Sequence, residues 1–290
     1  MESLVGHIFT GFVDYKNAYE TPKLEWTLIG ALFALVSLFA IAPEPYEIYK
    51  NRTNFGLSPL FTFANHMSMW LLVMNFLCLN YHELVGVFQY SFADTIPSLI
   101  VFVEFIGQWL SFMPTVFMMI HYDDREHNKD ESDKTKFIHK LINNGLVILN
   151  VSLVIVMIAF WLLVGIFVSF ECSLINYFGQ VCGFVSTVLV FIQYVPQFIM
   201  TIKIRDNGSL SLLMLEILGP TEIMNGVYMA VVLKEEWSTY LASFAEGTFQ
   251  LSLLLLCIMF KIYNKIKKPA PNFPNLSSTV LSPIIPVNIP

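Results

Sequence analysis

The stretch PQFIMTIKIRDNGSLS, residues 196–211, decides the fold because an earlier stretch, PEPYEIYKNRTNFGLS at residues 43–58, repeats its pattern. Each stretch begins with a proline that ends one apolar segment and continues through a basic turn that contains a glycine, Gly208 or Gly56. Each then reaches a serine fifteen residues after the proline, where the next apolar segment begins. Similarity at a fixed spacing indicates that the chain consists of two related halves.

Apolar stretches dominate the chain around these motifs. Of its 290 residues, 56% are hydrophobic and 13% are charged, whereas ordinary soluble domains carry about 25% charged residues. A bilayer core of about 30 Å requires roughly 20 mostly apolar residues per helix, and seven stretches meet that requirement. They are Leu24–Ile48, Pro59–Leu79, Pro97–His121, Leu141–Phe170, Leu174–Thr201, Ser211–Leu233 and Thr239–Tyr263. We therefore predict an all-α integral membrane protein with seven transmembrane helices.

The distribution of Lys and Arg predicts how the chain is oriented. Thirteen of these residues fall on one side of the predicted membrane, and only Lys16, Lys23 and Lys234 fall on the other. Positively charged residues are retained on the cytoplasmic side. The N-terminus is therefore expected to be lumenal or extracellular and the C-terminus cytoplasmic.

The two motifs, with the GSLS run at 208–211 and the Trp237-Ser238-Thr239 run, carry a resemblance to a known family. The chain resembles the PQ-loop repeat membrane proteins, which include lysosomal cystine and cationic amino acid exporters, and it looks particularly like fungal and protist members. The first motif departs from the pattern, since Glu44 replaces the glutamine that Gln197 provides in the second. The resemblance implies two parallel three-helix bundles joined by a linking helix. Two three-span halves share one orientation only when an extra crossing separates them.

This arrangement divides the chain into six predicted regions. They are a lumenal or extracellular segment at 1–23, a first triple-helix bundle at 24–121, a charged cytoplasmic loop at 122–140, a linking helix at 141–170, a second bundle at 171–263 and a disordered cytoplasmic tail at 264–290.

The PQ motifs Pro43-Glu44 and Pro196-Gln197 are predicted hinges. Proline removes a backbone donor and kinks a helix, and the freed carbonyl must find another partner inside a membrane. Gln197 can satisfy that backbone with its amide group, and Glu44 can do so and also take up a proton. A static kink is the alternative, but repetition of the corner in both halves favours a gating hinge.

Acidic and amide side chains within the apolar stretches are the predicted solute and proton pathway. An ionised acid at the bilayer centre costs about 2.5–3.5 kcal/mol and normally faces a wet or protein-lined cavity. Glu104 and Gln108 have the spacing of Glu246 and Gln250, so each pair lies on one helix face. Glu222 also falls in an apolar stretch. The candidate residues are Glu104, Gln108, Glu216, Glu246, Gln250 and His66, the last of which is equally compatible with a purely structural hydrogen bond.

Other kinds of function find no support in the sequence. It has no GxSxG or HExxH motif, and its four cysteines lack metal-ligand spacing, so we expect no catalytic residues, metal or cofactor. A net charge of -6 and the absence of a long basic run argue against nucleic-acid binding. We expect the lipid bilayer, protons and a small polar solute as partners, and a homo-oligomer remains open.

The predicted function is that of a secondary transporter, not an enzyme. It would move a small polar, amino acid-like solute from lumen to cytosol with proton coupling, in a lysosomal, vacuolar or other endomembrane. Burial favours the protonated form of a carboxylate, which would then release its proton at cytoplasmic pH. The alternatives are a seven-helix trafficking or signalling receptor, and a lipid- or glycolipid-handling membrane protein without transport activity.

Overall fold

The computed structural model of the protein describes residues 24–54, 57–87, 92–122, 133–206 and 210–267. Within these ranges every regular element is helical and no strand occurs. The helices are α1 (Leu24–Ile41), α2 (Pro43–Asn51), α3 (Pro59–Leu79), α4 (Tyr81–Gly86), α5 (Phe92–His121), α6 (Asp133–Phe167), α7 (Ser173–Ile204), α8 (Leu212–Tyr228), a π-helix (Met229–Leu233) and α9 (Trp237–Lys267).

Six helical segments of the described chain are long and apolar enough to cross a membrane. They are Glu25–Asn51, Pro59–Leu79, Leu99–His121, Leu141–Phe167, Ser173–Ile204 and Trp237–Ile266. An all-helical, multi-pass membrane protein is therefore confirmed. The seventh predicted stretch, Ser211–Leu233, is also helical, but it divides into α8 of 17 residues and a π-helix of 5. At 17 residues, α8 alone is shorter than the roughly 20 residues that a bilayer core requires.

The two repeated motifs fold alike at their turns. Arg52 ends α2 and Arg205 ends α7, and both adopt the left-handed conformation with φ of 54° and 57°. The next helix in each half begins at a serine cap: the Ser58 hydroxyl accepts from Phe61 N at 3.4 Å, and the Ser211 hydroxyl accepts from Met214 N at 3.3 Å. A serine cap satisfies a backbone donor that the first helical turn leaves unpaired. The spacing read from the sequence therefore corresponds to a shared helix-turn-cap geometry.

The two PQ corners differ in their backbone. The first apolar segment breaks at Ala42, and Pro43 is the first residue of the new helix α2. A proline fits that position because the first helical N–H has no intrahelical partner. Pro196 instead lies inside the continuous helix α7.

The helices of the two halves pack in matching order, and the most extensive contact joins the halves. The first helix group consists of α1, α3 and α5, and α5 packs against both of the others. The second helix group consists of α7, α8 and α9, and α9 packs against both of the others. The groups meet where α3 contacts α7 and where α1 contacts α8. Helix α6 contacts them sparsely, and its apolar side chains, such as Ile148, Ile155 and Val156, are mostly exposed. Such a surface is typical of a helix that faces lipid.

Three predicted region boundaries differ from the observed helices. Helix α6 begins at Asp133, so residues 133–140 are helical although we predicted a loop there, and α6 ends three residues before Phe170. Helix α9 continues to Lys267, into the segment predicted as tail. The remaining tail residues 268–290, the N-terminal segment 1–23 and residues 123–132 lie outside the described residues.

Candidate functional site between the helix groups

A hydrogen-bonded group of acids and amides joins α5 to α8. The Gln108 side chain donates from Nε2 to Glu104 Oε1 at 3.2 Å and to Glu222 Oε1 at 3.0 Å. Asn225 Nδ2 donates to the same Glu104 oxygen at 2.9 Å. Glu104 and Gln108 are one turn apart on α5, as are Glu222 and Asn225 on α8, so each helix presents two polar groups on one face. Both helix groups therefore contribute to one polar site.

Helix α9 supplies a third acid. Gln250 Nε2 donates to Glu246 Oε1 at 3.0 Å, which repeats the contact between Gln108 and Glu104 in the first half. Glu246 lies close enough to Glu222 for their charges to interact. We refer to the six residues Glu104, Gln108, Glu222, Asn225, Glu246 and Gln250 as the acid cluster.

The acid cluster is buried without a basic counter-charge. Its three carboxyl groups have exposed fractions of 0% for Glu104, 3% for Glu222 and 6% for Glu246. No Lys or Arg side chain is buried in the part of the chain that the structure describes. Burial of an unpaired ionised carboxylate is very costly. The acid cluster therefore holds protons, or it accepts a positively charged group from elsewhere.

Two atoms of the acid cluster are buried without a hydrogen-bond partner among the described residues. They are Oε2 of Glu104 and Oε1 of Gln250, although the Ser37 hydroxyl lies within reach of the Glu104 carboxyl group and the Tyr194 hydroxyl within reach of the Gln250 amide. Unpaired buried polar atoms are uncommon in folded proteins and call for an explanation. A proton donor such as water or a solute ammonium group would satisfy both acceptors.

The predicted site residues do not all meet in this cluster. Glu104, Gln108, Glu246 and Gln250 belong to it, but Glu216 lies on an exposed face of α8. Glu216 and Glu222 are six residues apart, so a period of 3.6 residues directs them to different faces. His66 is buried elsewhere, where Nδ1 makes a 3.0 Å hydrogen bond with Asn150 Oδ1 at the contact between α3 and α6.

The PQ motifs meet across the boundary between the halves. The side-chain oxygen of Gln197 accepts from the backbone N–H of Ser58 at 3.1 Å, so the second motif holds the turn of the first. Glu44 is fully buried, and neither of its carboxyl oxygens has a partner in the described chain. Pro43 and Pro196 flank these groups on α2 and α7, respectively.

A row of buried polar contacts lies between α3 and α7. Ser68 and Ser186 hydroxyls are 2.8 Å apart, and Gln193 Nε2 donates to Asn65 Oδ1 at 3.2 Å. Asn75 extends the row to α9: its Nδ2 donates to the Gly179 carbonyl at 2.9 Å, and its Oδ1 accepts from Thr239 Oγ1 at 2.8 Å. These contacts fix the register of the two halves because each polar group requires its partner in the membrane interior.

The sequence reading missed Glu222 and Asn225 as site residues. Counted from the serine caps, the first-half position that matches Glu222 is Met69, so no internal repeat singled it out. The available signal was a second acid, Glu222, six residues after Glu216 in the same apolar stretch. An amide, Asn225, follows Glu222 one helical turn later. Helical periodicity, applied to α8 alone, would have separated Glu222 from Glu216.

The described residues contain no group of three or more His, Cys, Asp or Glu side chains placed to hold a metal ion. The four cysteines, Cys78, Cys172, Cys182 and Cys257, are free thiols.

Comparison with known proteins places the second motif in a family. Residues 178–238 match the family model described as "PQ loop repeat". A 78-residue segment is 31% identical to an uncharacterized protein of Schizosaccharomyces pombe, a match that covers 27% of this chain and 26% of the relative. No solved structure matches the chain. Proteins of the PQ-loop family are generally linked to membrane transport of small solutes. The family resemblance read from the sequence is thus confirmed, and the chain carries a PQ-loop repeat at residues 178–238.

Proposed function

We propose that the protein is a proton-coupled secondary transporter of a small polar, amino acid-like solute. The observation that carries this proposal is the acid cluster: three buried carboxyl groups at the boundary of two helix groups, with no buried Lys or Arg in the described chain. Buried acids inside a membrane protein normally mark a solute or proton path. The PQ-loop repeat supports the same class of function.

The proposed architecture is a pair of parallel triple-helix bundles. The first helix group, with α2 as the continuation of α1, forms one bundle, and the second helix group forms the other. Helix α6 is the linking helix, and α8 with its π-helix is the seventh crossing. The matching packing order, with α5 and α9 each between two partners, supports this assignment.

The acid cluster has suitable chemistry for an amino acid. A carboxylate such as Glu104 attracts an ammonium group, and the amide groups of Gln108 and Asn225 can donate to a solute carboxylate once they release their present acceptors. Co-transport in one direction requires the proton and the solute to be bound at the same time. A proton on one carboxyl group of the acid cluster and the solute ammonium on another would couple the two movements.

The proposed direction is from lumen to cytosol across a lysosomal, vacuolar or other endomembrane, with the N-terminus lumenal. The excess of Lys and Arg on the opposite side supports this orientation. An acidic lumen would load the acid cluster with protons, and the PQ corners at Pro43 and Pro196 would act as paired hinges that open it toward the cytosol.

Uptake by cells that display the protein at their surface tests this function against that of a trafficking receptor. We expect cells that display the wild-type protein to take up at least one labelled amino acid or sugar at acidic external pH. This uptake should exceed the uptake by cells that display the Glu104→Gln variant at the same surface level. Saturable binding of a sorting peptide, without uptake of any solute in the panel, would instead identify a receptor and reject the transport proposal.

A further inference from the structure

A cavity of mixed polar and apolar lining lies away from the acid cluster, at the end of the helices where α3 leads into α4. It has a volume of about 240 Å³, and its lining includes Tyr81, His82, Phe170, Glu171, Cys172 and Asn176. These residues come from α4, from the connection between α6 and α7, and from the first turn of α7. Drug-sized ligands occupy about 300–1,000 Å³, so this cavity suits a smaller molecule.

Aromatic rings form one wall of the cavity. Tyr81 and Phe170 stack with their ring centroids 4.4 Å apart and an interplanar angle of 16°. Trp161 of α6 packs behind both, 4.9 Å from Phe170 and 6.3 Å from Tyr81. The backing ring holds the stacked pair in place, and an outer face of the pair, which the partner ring does not cover, can attract a cation.

A carboxylate adjoins this wall. Glu171 is exposed, and its charge lies close enough to Tyr81 and His82 to interact with both. The Ser169 hydroxyl accepts from the Glu171 backbone N–H at 3.1 Å, which fixes the turn that carries the carboxylate. Burial lowers the pKa of His82, although Glu171 opposes this effect, so the imidazole tends toward its neutral form. No Lys or Arg lines the described cavity.

We propose that this cavity binds the ammonium group of a small organic cation, with the Tyr81 and Phe170 rings as its aromatic wall and Glu171 as its counter-charge. Aromatic faces combined with a carboxylate favour a quaternary or primary ammonium group over an anion or a neutral molecule. The ammonium belongs either to a free solute or to a lipid headgroup, because the cavity lies at the ends of two membrane-spanning helices, α3 and α7. The site is separate from the acid cluster and does not depend on transport.

Choline and dimethylbutanol, its uncharged carbon analogue, are suitable probes for the purified full-length protein. Calorimetry should show saturable choline binding that is at least about fivefold tighter than dimethylbutanol binding. Tyr81→Leu and Glu171→Gln should each weaken choline binding about fivefold or more. Tyr81→Phe keeps the ring, and Glu236→Gln removes an exposed charge elsewhere, so both should stay within about twofold of wild type. Equal binding of the two probes, absence of choline binding, or unchanged binding by Glu171→Gln would overturn the site.

Protection of Cys172 provides a measurement on the unmodified protein. Cys172 and Cys78 both line the cavity, but Cys172 is half-buried, whereas Cys78, like Cys182 and Cys257, is buried and therefore reacts more slowly. Choline should slow alkylation of Cys172 by N-ethylmaleimide, as followed by mass spectrometry. An alkylation rate that is the same with and without saturating choline would contradict the proposal.

Nanodiscs identify the source of the ammonium group. If the natural ligand is a lipid headgroup, phosphatidylcholine nanodiscs should reduce choline affinity relative to phosphatidylglycerol nanodiscs. Equal choline affinity in both would assign the site to a free cation. Loss of choline binding in the phosphatidylglycerol discs would overturn the site, since no competing ammonium is present there.

Discussion

The two carboxyl oxygens of Glu104 have different hydrogen-bonding surroundings. Its Oε1 accepts from two amides, Gln108 and Asn225, while Oε2 is buried without a partner among the described residues. The two amides hold the carboxyl group in one orientation, because each donates to the same atom. A proton or a solute ammonium would therefore bind at Oε2, where the Ser37 hydroxyl is the nearby protein donor that competes for it.

Glutamine substitution separates proton exchange from packing at this site. Glu104→Gln and Glu246→Gln keep the side-chain size and an acceptor oxygen but remove titration. At the coupling site, proton-driven uptake should fall by about tenfold or more, which corresponds to about 1.4 kcal/mol. Exchange of labelled for unlabelled solute at equal pH should survive. Radiolabelled flux in liposomes measures both.

Glu216→Gln is the matched control, since it makes the same change on an exposed face of α8. Its uptake should equal that of wild type. Full proton-driven uptake in both Glu104→Gln and Glu246→Gln would make those acids structural and move the coupling role to Glu222 or Glu44.

The sequence identified those acids that the internal repeat duplicates. Glu104 with Gln108 and Glu246 with Gln250 recur in both halves, and a pattern with one copy per half is visible without a structure. Glu222 has no counterpart in the first half of the sequence. It belongs to the acid cluster only because its face of α8 packs toward α5. That orientation follows from tertiary packing, which periodicity within one helix does not specify.

At the level of helices, the repeated motif has one turn geometry and two kinds of corner. Both halves place an arginine in the left-handed conformation and a serine cap at matching positions. The chain breaks before Pro43, but it continues through Pro196. The spacing predicted the turns, whereas the unequal corners depend on whether neighbouring helices hold the segment straight.

Alanine at either proline tests the hinge. Pro196→Ala restores a donor inside α7, and Pro43→Ala allows α1 to continue into α2. Each should leave membrane insertion intact while slowing solute exchange several-fold, because a straighter helix bends less readily. Initial exchange rates at equal protein density measure the effect. Rates equal to wild type in both variants would mean that the prolines are static kinks.

Close contact of α7 with α3 and α9 depends on a missing side chain. A Cβ on Gly183 would lie 2.3 Å from the backbone oxygen of Ser238 and 2.7 Å from Asn75 Nδ2. The Ser238 backbone cannot move away without distorting α9. Gly183→Ala should therefore destabilise the protein by about 1–3 kcal/mol. A thermal unfolding assay in detergent would show a lower melting temperature.

Gly145→Ala provides the comparison, because nothing lies within 4 Å of its added Cβ in α6. Alanine is favoured over glycine in a helix by up to about 1 kcal/mol. This variant should therefore match or exceed the stability of wild type. Equal losses in the two variants would show that the contact around Gly183 is looser than described.

At the scale of the whole molecule, the two halves are also tied together outside the membrane-spanning segments. Asn80, which follows α3, donates from Nδ2 to Glu235 Oε2 at 2.8 Å, and Glu83 of α4 lies near the same acid. Burial, opposed by the Asn80 hydrogen bond and reinforced by Glu236, raises the pKa of Glu235 to about 7. Burial and the nearby Glu235 charge raise the pKa of Glu83 well above its usual range.

These raised pKa values predict a dependence of stability on pH. A raised folded-state pKa means that the folded protein binds protons more tightly than the unfolded chain. The resulting stabilisation is complete below the unfolded value of 4.5 and is lost as pH rises through about 7. The melting temperature should therefore fall by a few degrees over this range. Glu235→Gln should weaken the dependence, and Glu236→Gln, which removes only the smallest of the three influences on Glu235, should largely keep it. An unchanged pH profile in Glu235→Gln would contradict this role.

Proton-driven accumulation in liposomes tests the proposed transport function most directly. The full-length protein is reconstituted, and a panel of labelled amino acids is supplied with and without an inward proton gradient. We predict that at least one amino acid accumulates above its external concentration only when the gradient is present, and that a proton ionophore abolishes the accumulation. Entry no greater than that into protein-free liposomes, for every member of the panel and either gradient direction, would contradict proton-coupled transport.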